Sequence, residues 1–363
     1  MLSTFLMAAS MSLQPATSAL TERLVADGFE NVAVQVRRDR TFVWFEDRRY
    51  LDAIDGLGKV AREIAASPFI GSVELVPLHE QLPVLGIEIP AEDLRQFLNK
   101  RQSARAFASQ LGFELAPPDP PSGVANSSTW HSDLALTPGY AFSVHLYGYV
   151  NPTLHTQLGP GWQAQGRLQL QFYPQGEISP DFLLLGGHRS VAPGIDGAWL
   201  MGRWDDQHYG GVAELAGLLG GGDWQWHLQA GLVTDSDASA IASMDYHFPW
   251  LDTFTRFGAG FYPAGDRCAF VTFGRLFPRS EVEAGYYRSD FGNQLRATIT
   301  TYLGPDVRPI PGPLRFEGLG SFSADYRASA PKGGTSFWPE PDAGEAWTRL
   351  TPDNIRRHLQ DWR

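Results

Sequence analysis

The sequence predicts a mainly β protein in which a small α+β domain precedes a long antiparallel β-barrel of about 12 strands. Three observations predict it. After residue 129 the chain runs in segments of about ten residues that alternate apolar and polar positions, the sequence form of a barrel of the outer-membrane type. Only 19% of residues are charged, against about 25% in ordinary soluble domains, while Gly numbers 38 and aromatics reach 12%. A proline-rich stretch, Ala116-Pro117-Pro118-Asp119-Pro120-Pro121-Ser122-Gly123, divides this pattern from a mixed helix-and-strand region, because it can continue neither a helix nor a central strand.

The elements follow in order. Leu2 to Leu13 is short and mostly apolar, and Thr17 and Ala19 suit a small-residue cleavage site. Residues 1–19 therefore read as a secretory signal peptide, the alternative being a frayed N-terminus or a misassigned start codon. Residues 20–115 read as a small α+β domain in the order αββαββα. Thr21–Asp27 is helical and is stopped by Gly28; Val32, Val34 and Val36 have strand period; Asp39 turns the chain into an aromatic strand over Thr41–Glu46. Ile54, Leu57, Val60 and Ile64 mark one face of a helix over Leu51–Ala66. Val73–Leu78 and Val84–Ile89 are two further strands, and Ala91–Leu98 and Ser103–Leu111 are helical, with Pro90 placed where a helix start tolerates it. Helices on one face of an antiparallel sheet are expected. Residues 116–128 are then a stiff spacer.

Residues 129–303 are expected to form the barrel. Trp224, Trp226, Leu228, Ala230 and Leu232 oppose Gln225, His227, Gln229 and Gly231. Leu168, Leu170 and Phe172 oppose Arg167, Gln169 and Gln171; Leu295, Ala297 and Ile299 oppose Gln294, Arg296 and Thr298. A soluble sandwich also alternates, with its apolar face turned to a core. The polar face here holds mainly Gln, Ser, Thr, Gly and His rather than Lys and Glu, and short turns such as Gly220-Gly221-Gly222-Asp223 and Ala264-Gly265-Asp266 succeed each other regularly. Both features favour the barrel, and single-chain bacterial barrels commonly have even strand numbers. Residues 304–363 form a C-terminal extension. Within it Leu314–Tyr326 suits a further strand or a segment across the barrel mouth, and Thr351–Trp362 a short helix capped by Thr351, with Pro352 in its first turn.

Composition also excludes functions. A net charge of −11 is unsuited to duplex nucleic acid. The single cysteine, Cys268, permits neither an internal disulfide nor a zinc or iron–sulfur site built from clustered cysteines. No apolar run reaches the roughly 18 residues of a helical membrane span. The chain contains no nucleophile elbow, P-loop, zinc-protease helix or calcium loop. Gly258-Ala259-Gly260 begins like a dinucleotide fingerprint but reads as small residues in a strand, since no helix follows. His131, His145, His155, His188, His208, His227 and His247 are dispersed without ligand spacing, and Asp205-Asp206 and Asp235-Ser236-Asp237 read as solvated turns. Glu281 and Glu283 share one strand face. They suit a carboxylate pair for glycoside hydrolysis or ordinary lumen charges, and the second reading carries more weight. Trp224 and Trp226 suit a sugar platform or an aromatic girdle. No catalytic, cofactor-binding or metal-binding residue is assigned, and no cofactor is expected.

Asp27-Gly28-Phe29-Glu30-Asn31-Val32, Val43-Trp44-Phe45-Glu46-Asp47-Arg48-Arg49-Tyr50 and Leu57-Gly58-Lys59-Val60 together resemble the opening domain of the YjbH-like exopolysaccharide biosynthesis proteins, which are related to the capsule-associated GfcD group. The likeness is most specific over Gly28–Val60; the later region is similar in pattern. Members are outer-membrane barrels encoded with polysaccharide secretion systems, and are often longer and often lipoproteins. This chain holds one barrel and has no cysteine near its start. The resemblance implies an outer-membrane location with the N-terminal domain in the periplasm. It also implies assistance to exopolysaccharide or capsule assembly or export, with polysaccharide, export proteins and outer-membrane lipid as partners. It carries no catalytic residues. The alternative from another class is a soluble β-sandwich that binds carbohydrate or acts on glycans, and a third reading is a general diffusion porin.

Overall fold

The computed structural model describes residues 15–37, 40–142, 146–174, 176–204, 208–234, 238–248, 251–262, 265–277, 279–290, 292–309, 312–319, 321–328 and 350–363. The expected apolar leader over Leu2–Leu13, the turn residue Asp39 and the turn residue Ala264 lie outside them. The chain divides into two units.

The small unit is built on a sheet of six strands: β1 (Glu30–Arg37), β2 (Arg40–Glu46), β3 (Ser72–His79), β4 (Leu82–Pro83), β5 (Gly86–Pro90) and β6 (Gly112–Glu114). The main path runs β1-β2-β3-β5-β6, with β4 beside β3. Helix α1, described over 15–26, leads in; the chain is already helical before Thr21, where the pattern places the start, and the helix buries Leu20 and Leu24. Helix α2 (Ala53–Ala65) is capped by Asp52, whose carboxylate accepts from the Ile54 N–H, and buries Ile54, Leu57, Val60 and Ile64. Helices α3 (Ala91–Leu98) and α4 (Ala104–Ala108) follow. The expected antiparallel sheet is in fact mixed: β2 and β3 are parallel. The reason is α2, which connects them as a crossover, and a crossover returns the chain in the same direction.

Two further segments join this unit. One lies around residues 306–308, where the Leu51 N–H donates to the Asp306 carbonyl (2.9 Å) and the Arg308 N–H to the Arg49 carbonyl (2.8 Å). The other is the C-terminus, with α5 (Pro352–Arg357) and a 3₁₀ turn (Leu359–Trp362). Thr351 caps α5 by accepting from the Asn354 N–H. Trp362 is fully buried. It sits against Gly58 of α2, where an added Cβ would meet the Trp362 backbone at 3.0 Å, so a larger residue would push the tryptophan back by a few tenths of an ångström. Arg62 then donates to the Trp362 carbonyl (2.8 Å).

The proline-rich stretch is not a free spacer. The Trp44 indole N–H donates to the Pro118 carbonyl (2.8 Å). Val32 and Ala125 exchange backbone hydrogen bonds across the outer edge of β1, and Val124 packs on a cluster of Ala33, Phe42, Trp44, Val76 and Leu78. The stretch therefore covers the sheet face that the helices leave open, and part of an edge that would otherwise present unpaired backbone groups.

Among the described residues the large unit is a closed barrel with 13 strand positions in its wall, the last filled by two short strands in succession. Its strands are β7 (His131–Phe142), β8 (Leu146–Gly159), β9 (Trp162–Tyr173), β10 (Glu177–Ala192), β11 (Ile195–Arg203), β12 (Tyr209–Leu219) and β13 (Trp224–Val233). The wall continues with β14 (Ser239–His247), β15 (Thr253–Phe261), β16 (Arg267–Leu276), β17 (Ser280–Ser289) and β18 (Gly292–Tyr302). It is completed by β19 (Leu314–Leu319) and β20 (Ser321–Ala328), which lie along β7 one after the other. From β7 to β18 each strand is antiparallel to the next, and β20 is antiparallel to β18. Both closing strands run parallel to β7. The even number expected from the sequence is thus one short, and the cause is Leu314–Tyr326, which forms wall rather than lying across the mouth. Parallel closure is the necessary consequence, because an odd count of alternating strands leaves the first and last pointing the same way.

Candidate functional site

The two faces of the barrel wall differ in character, and the difference is the reverse of a soluble protein's. Outward side chains are apolar and open: Leu183 is 66% exposed, Leu232 65%, Phe273 59% and Leu295 56%. Inward side chains at the alternate positions are polar and buried, among them Glu214, Gln225, Asp245, Thr272 and Gln294. Period-2 alternation produces this directly, since successive side chains of a strand point to opposite faces. Outward aromatics gather toward both rims. Trp224 packs on Tyr246 (4.5 Å between ring centroids), and Tyr246 on Phe248 (4.9 Å), toward the rim where β7 starts. Phe142 stacks on Tyr326 (5.7 Å), and Tyr140 meets Phe172 edge-on (6.1 Å), toward the other.

Buried polar groups require partners, and the inner wall supplies them across strands. Glu214, His227, Asp245 and Arg256 stand on the consecutive strands β12, β13, β14 and β15. Glu214 Oε1 lies 2.6 Å from His227 Nδ1, and His227 Nε2 lies 3.9 Å from Asp245 Oδ2. Arg256 faces Asp245 in register and donates to it from Nε (2.9 and 3.1 Å) and Nη2 (2.8 Å). At the closing seam, Arg296 of β18 (2.9 Å) and Arg327 of β20 (2.8 Å) share the carboxylate of Asp325. The Thr298 hydroxyl donates to the same group (3.1 Å). Arg315 of β19 binds Asp133 of β7 (2.9 Å). Arg167 of β9 binds Asp181 of β10 and lies 4.6 Å from the Phe182 ring centroid. Each of the pairs Arg256–Asp245, Arg296–Asp325, Arg315–Asp133 and Arg167–Asp181 links neighbouring strands, so these pairs hold wall strands together as well as lining the interior. Beside Phe182 the interior turns apolar, with Leu184, Leu200, Trp204, Val212 and Val233 buried against one another.

The residues singled out from sequence are distributed over this wall. His131, His155, His188, His227 and His247 lie on inward positions, and His208 in the turn after β11. His145, Asp205, Asp206, Asp235, Ser236 and Asp237 lie outside the described residues. Among the described residues no group of His, Cys, Asp or Glu is arranged to hold a metal ion. Glu281 and Glu283 are inward on β17, opposite Thr300 and Thr298 of β18. Gly258-Ala259-Gly260 sits within β15. Trp224 and Trp226 are on the outward phase of β13, within the aromatic wall. The chain of four residues from Glu214 to Arg256 was not visible in the sequence. Its members are far apart along the chain, and only the strand register aligns them; the available signal was a charge recurring on the polar phase of successive strands.

The small unit has a second buried polar cluster. Asn31 donates from Nδ2 to Glu46 Oε2 and accepts through Oδ1 from the Ser128 N–H (3.0 Å). Gln81 donates its N–H to Glu46 Oε1 (3.4 Å) and its side-chain amide to the Ser128 carbonyl (2.9 Å). Arg48 grips Glu30 alongside (2.9 and 3.2 Å). Burial pushes the Glu46 carboxyl up to about 7, and the neighbouring Glu30 adds to this against the opposing pull of Asn31, Gln81 and Arg48. Burial likewise raises Asp47 to about 6, against hydrogen bonds from the Tyr50 and Arg49 N–H groups. Glu46 thus accepts from the Asn31 amide and the Gln81 N–H, and the side chains of those two residues hold Ser128 to the sheet.

Compared with protein-family models and with curated proteins, the chain matches none.

Proposed function

We propose that this protein is an outer-membrane β-barrel that assists the assembly or export of an exopolysaccharide or capsule, with its small N-terminal unit in the periplasm. The observation that carries the membrane reading is the inversion of the wall: large apolar residues stand outward and exposed, while the charged and amide side chains of the strands are turned inward. Hydrocarbon stabilises such an outer face, and a closed barrel leaves no unpaired strand edge within it. Aromatics toward both rims suit the two membrane interfaces. Among the described residues no helix is long and apolar enough to cross a membrane, so the strands are the elements that would do so.

The polysaccharide reading rests on the likeness of Gly28–Val60 to the YjbH-like proteins and on a lumen that offers hydrogen-bonding and aromatic groups. The role is binding and passage, without a catalytic step. Export proteins are the expected partners of the small unit, and a secretory leader would deliver the chain. Two measurements test this. The protein is expected in the outer-membrane fraction as a band whose gel mobility changes on boiling. Deletion of its gene is expected to remove a surface polysaccharide while intracellular precursor accumulates. A detergent-free soluble monomer would overturn the first part, and unchanged surface polysaccharide the second.

A further inference from the structure

The inner wall is not uniform. Charged pairs occupy β12–β15 and the seam, whereas β8 and β9 contain no Asp, Glu or Lys. Their polar phase is instead built of amides and phenols. On β9 the inward positions read Gln163, Gln165, Arg167, Gln169 and Gln171, opposite the exposed Leu168 and Phe172. The one charge among them, Arg167, is bound by Asp181. On β8 the inward face carries Tyr147, Tyr149, Asn151, His155 and Gln157, opposite the exposed Leu146, Leu154 and Leu158. The two strands are in register, with Gln157 facing Gln163, His155 facing Gln165 and Tyr149 facing Gln171.

This strip is only partly satisfied by itself. Gln163 Oε1 takes contacts from His155 Nε2 and Gln165 Nε2, each at 2.7 Å. Gln157 Nε2, a donor, and Asn151 Oδ1, an acceptor, are buried and have no hydrogen-bond partner among the described residues. Buried polar atoms left so are uncommon and ask for a partner. Each amide offers two donors and an acceptor, which is what a sugar hydroxyl, itself donor and acceptor, can use from either side. The tyrosine rings offer flat apolar faces with a polar tip, suited to the C–H face of a pyranose. Alternate residues recur along the strand, so the same set of groups is presented repeatedly up the wall.

We propose that the β8–β9 inner wall is a binding track for a neutral glycan chain, which hydrogen-bonds to the glutamine and asparagine amides and stacks on Tyr147 and Tyr149. The proposal deepens the polysaccharide reading above and rests on it. A polyanionic glycan would meet no free cation on these two strands, because Arg167 is already engaged.

The test uses the full chain in detergent micelles, titrated calorimetrically with α-1,4- and β-1,4-linked glucan hexaoses and with a galacturonate hexamer. At least one neutral hexaose is expected to bind, and the galacturonate about tenfold more weakly or not at all. Gln165→Leu and Gln169→Ala are each expected to weaken neutral binding roughly three- to tenfold, the loss of about one hydrogen bond. Leu228→Val on the outer face is expected to leave it unchanged. The boiling-dependent gel shift confirms folding of each variant, and Gln169→Ala stands in if Gln165→Leu does not fold. Equal or tighter galacturonate binding, neutral binding indifferent to both glutamines, or no binding by a correctly folded barrel overturns the track alone. Failure of the unsubstituted chain to form a detergent-stable barrel overturns the membrane reading and the track together.

Discussion

The two units of this chain bury opposite kinds of residue. In the small unit Trp44, Phe45, Leu57 and Ile64 are sealed inside, and the polar groups caught with them, such as Glu46 and Asp47, have their ionisation suppressed. In the barrel Leu, Phe and Ile stand outward and open, while Asp245, Glu214 and Gln225 are enclosed. The same alternating strand therefore serves two solvents. The lesson is that alternation fixes which residues share a face, and only the surroundings of that face decide which side becomes interior.

The largest effect is expected in the small unit. Trp44→Ala removes a fully buried indole and its hydrogen bond to Pro118, and should cost about 3–5 kcal/mol. Limited proteolysis in detergent is expected to digest the small unit while the barrel keeps its boiling-dependent gel shift. Next comes the outer wall. Leu228→Arg places a charge where the account puts lipid, and should cost about 2–4 kcal/mol of barrel stability near the bilayer midplane, read by urea-dependent folding into lipid vesicles. Gln229→Arg, one residue on and facing inward, should cost less than half as much. Equal costs would dissolve the distinction between the faces.

A smaller and pH-dependent effect sharpens the contrast. The folded Glu46 carboxyl titrates near 7, above its value of about 4.3 in an unfolded chain. Stability from this group is therefore fully present below about pH 4 and is lost as pH rises through about 7. The loss amounts to roughly 3–4 kcal/mol at pH 8. Hydrogen-exchange protection at Val32 and Ala125 should accordingly fall between pH 5.5 and pH 8, and Glu46→Gln should flatten that fall. A fall of the same size in the variant would place its cause elsewhere.

Much of the architecture was legible in the sequence, for identifiable reasons. Strands such as Trp224–Val233 and Gly292–Tyr302 declare their faces by period alone, and Thr351 announces its helix by local capping chemistry. What escaped depends on contacts between distant residues. The proline-rich stretch looked like a spacer because its hold on Trp44 and Val32 is tertiary. The sheet looked antiparallel because local pattern does not reveal that β2 and β3 run the same way. The thirteenth strand was ambiguous because it follows a long Pro- and Gly-containing connection, and it is split between Leu314–Leu319 and Ser321–Ala328. The lumen pairs needed register, which no single strand contains.

The environment of one barrel strand can be read residue by residue. In a Cys268→Ser background, nitroxide labels are placed singly from Gln225 to Leu232 in protein reconstituted into lipid vesicles. Their collision rates with oxygen and with a water-soluble nickel chelate are then measured. An outer face in hydrocarbon should give a period of two, with oxygen favoured at Trp226, Leu228, Ala230 and Leu232 and the pattern reversed or quenched at Gln225, His227, Gln229 and Gly231. Uniform access to the nickel chelate along the strand, or low oxygen access at Leu228 and Leu232, would contradict an outer face that sits in hydrocarbon.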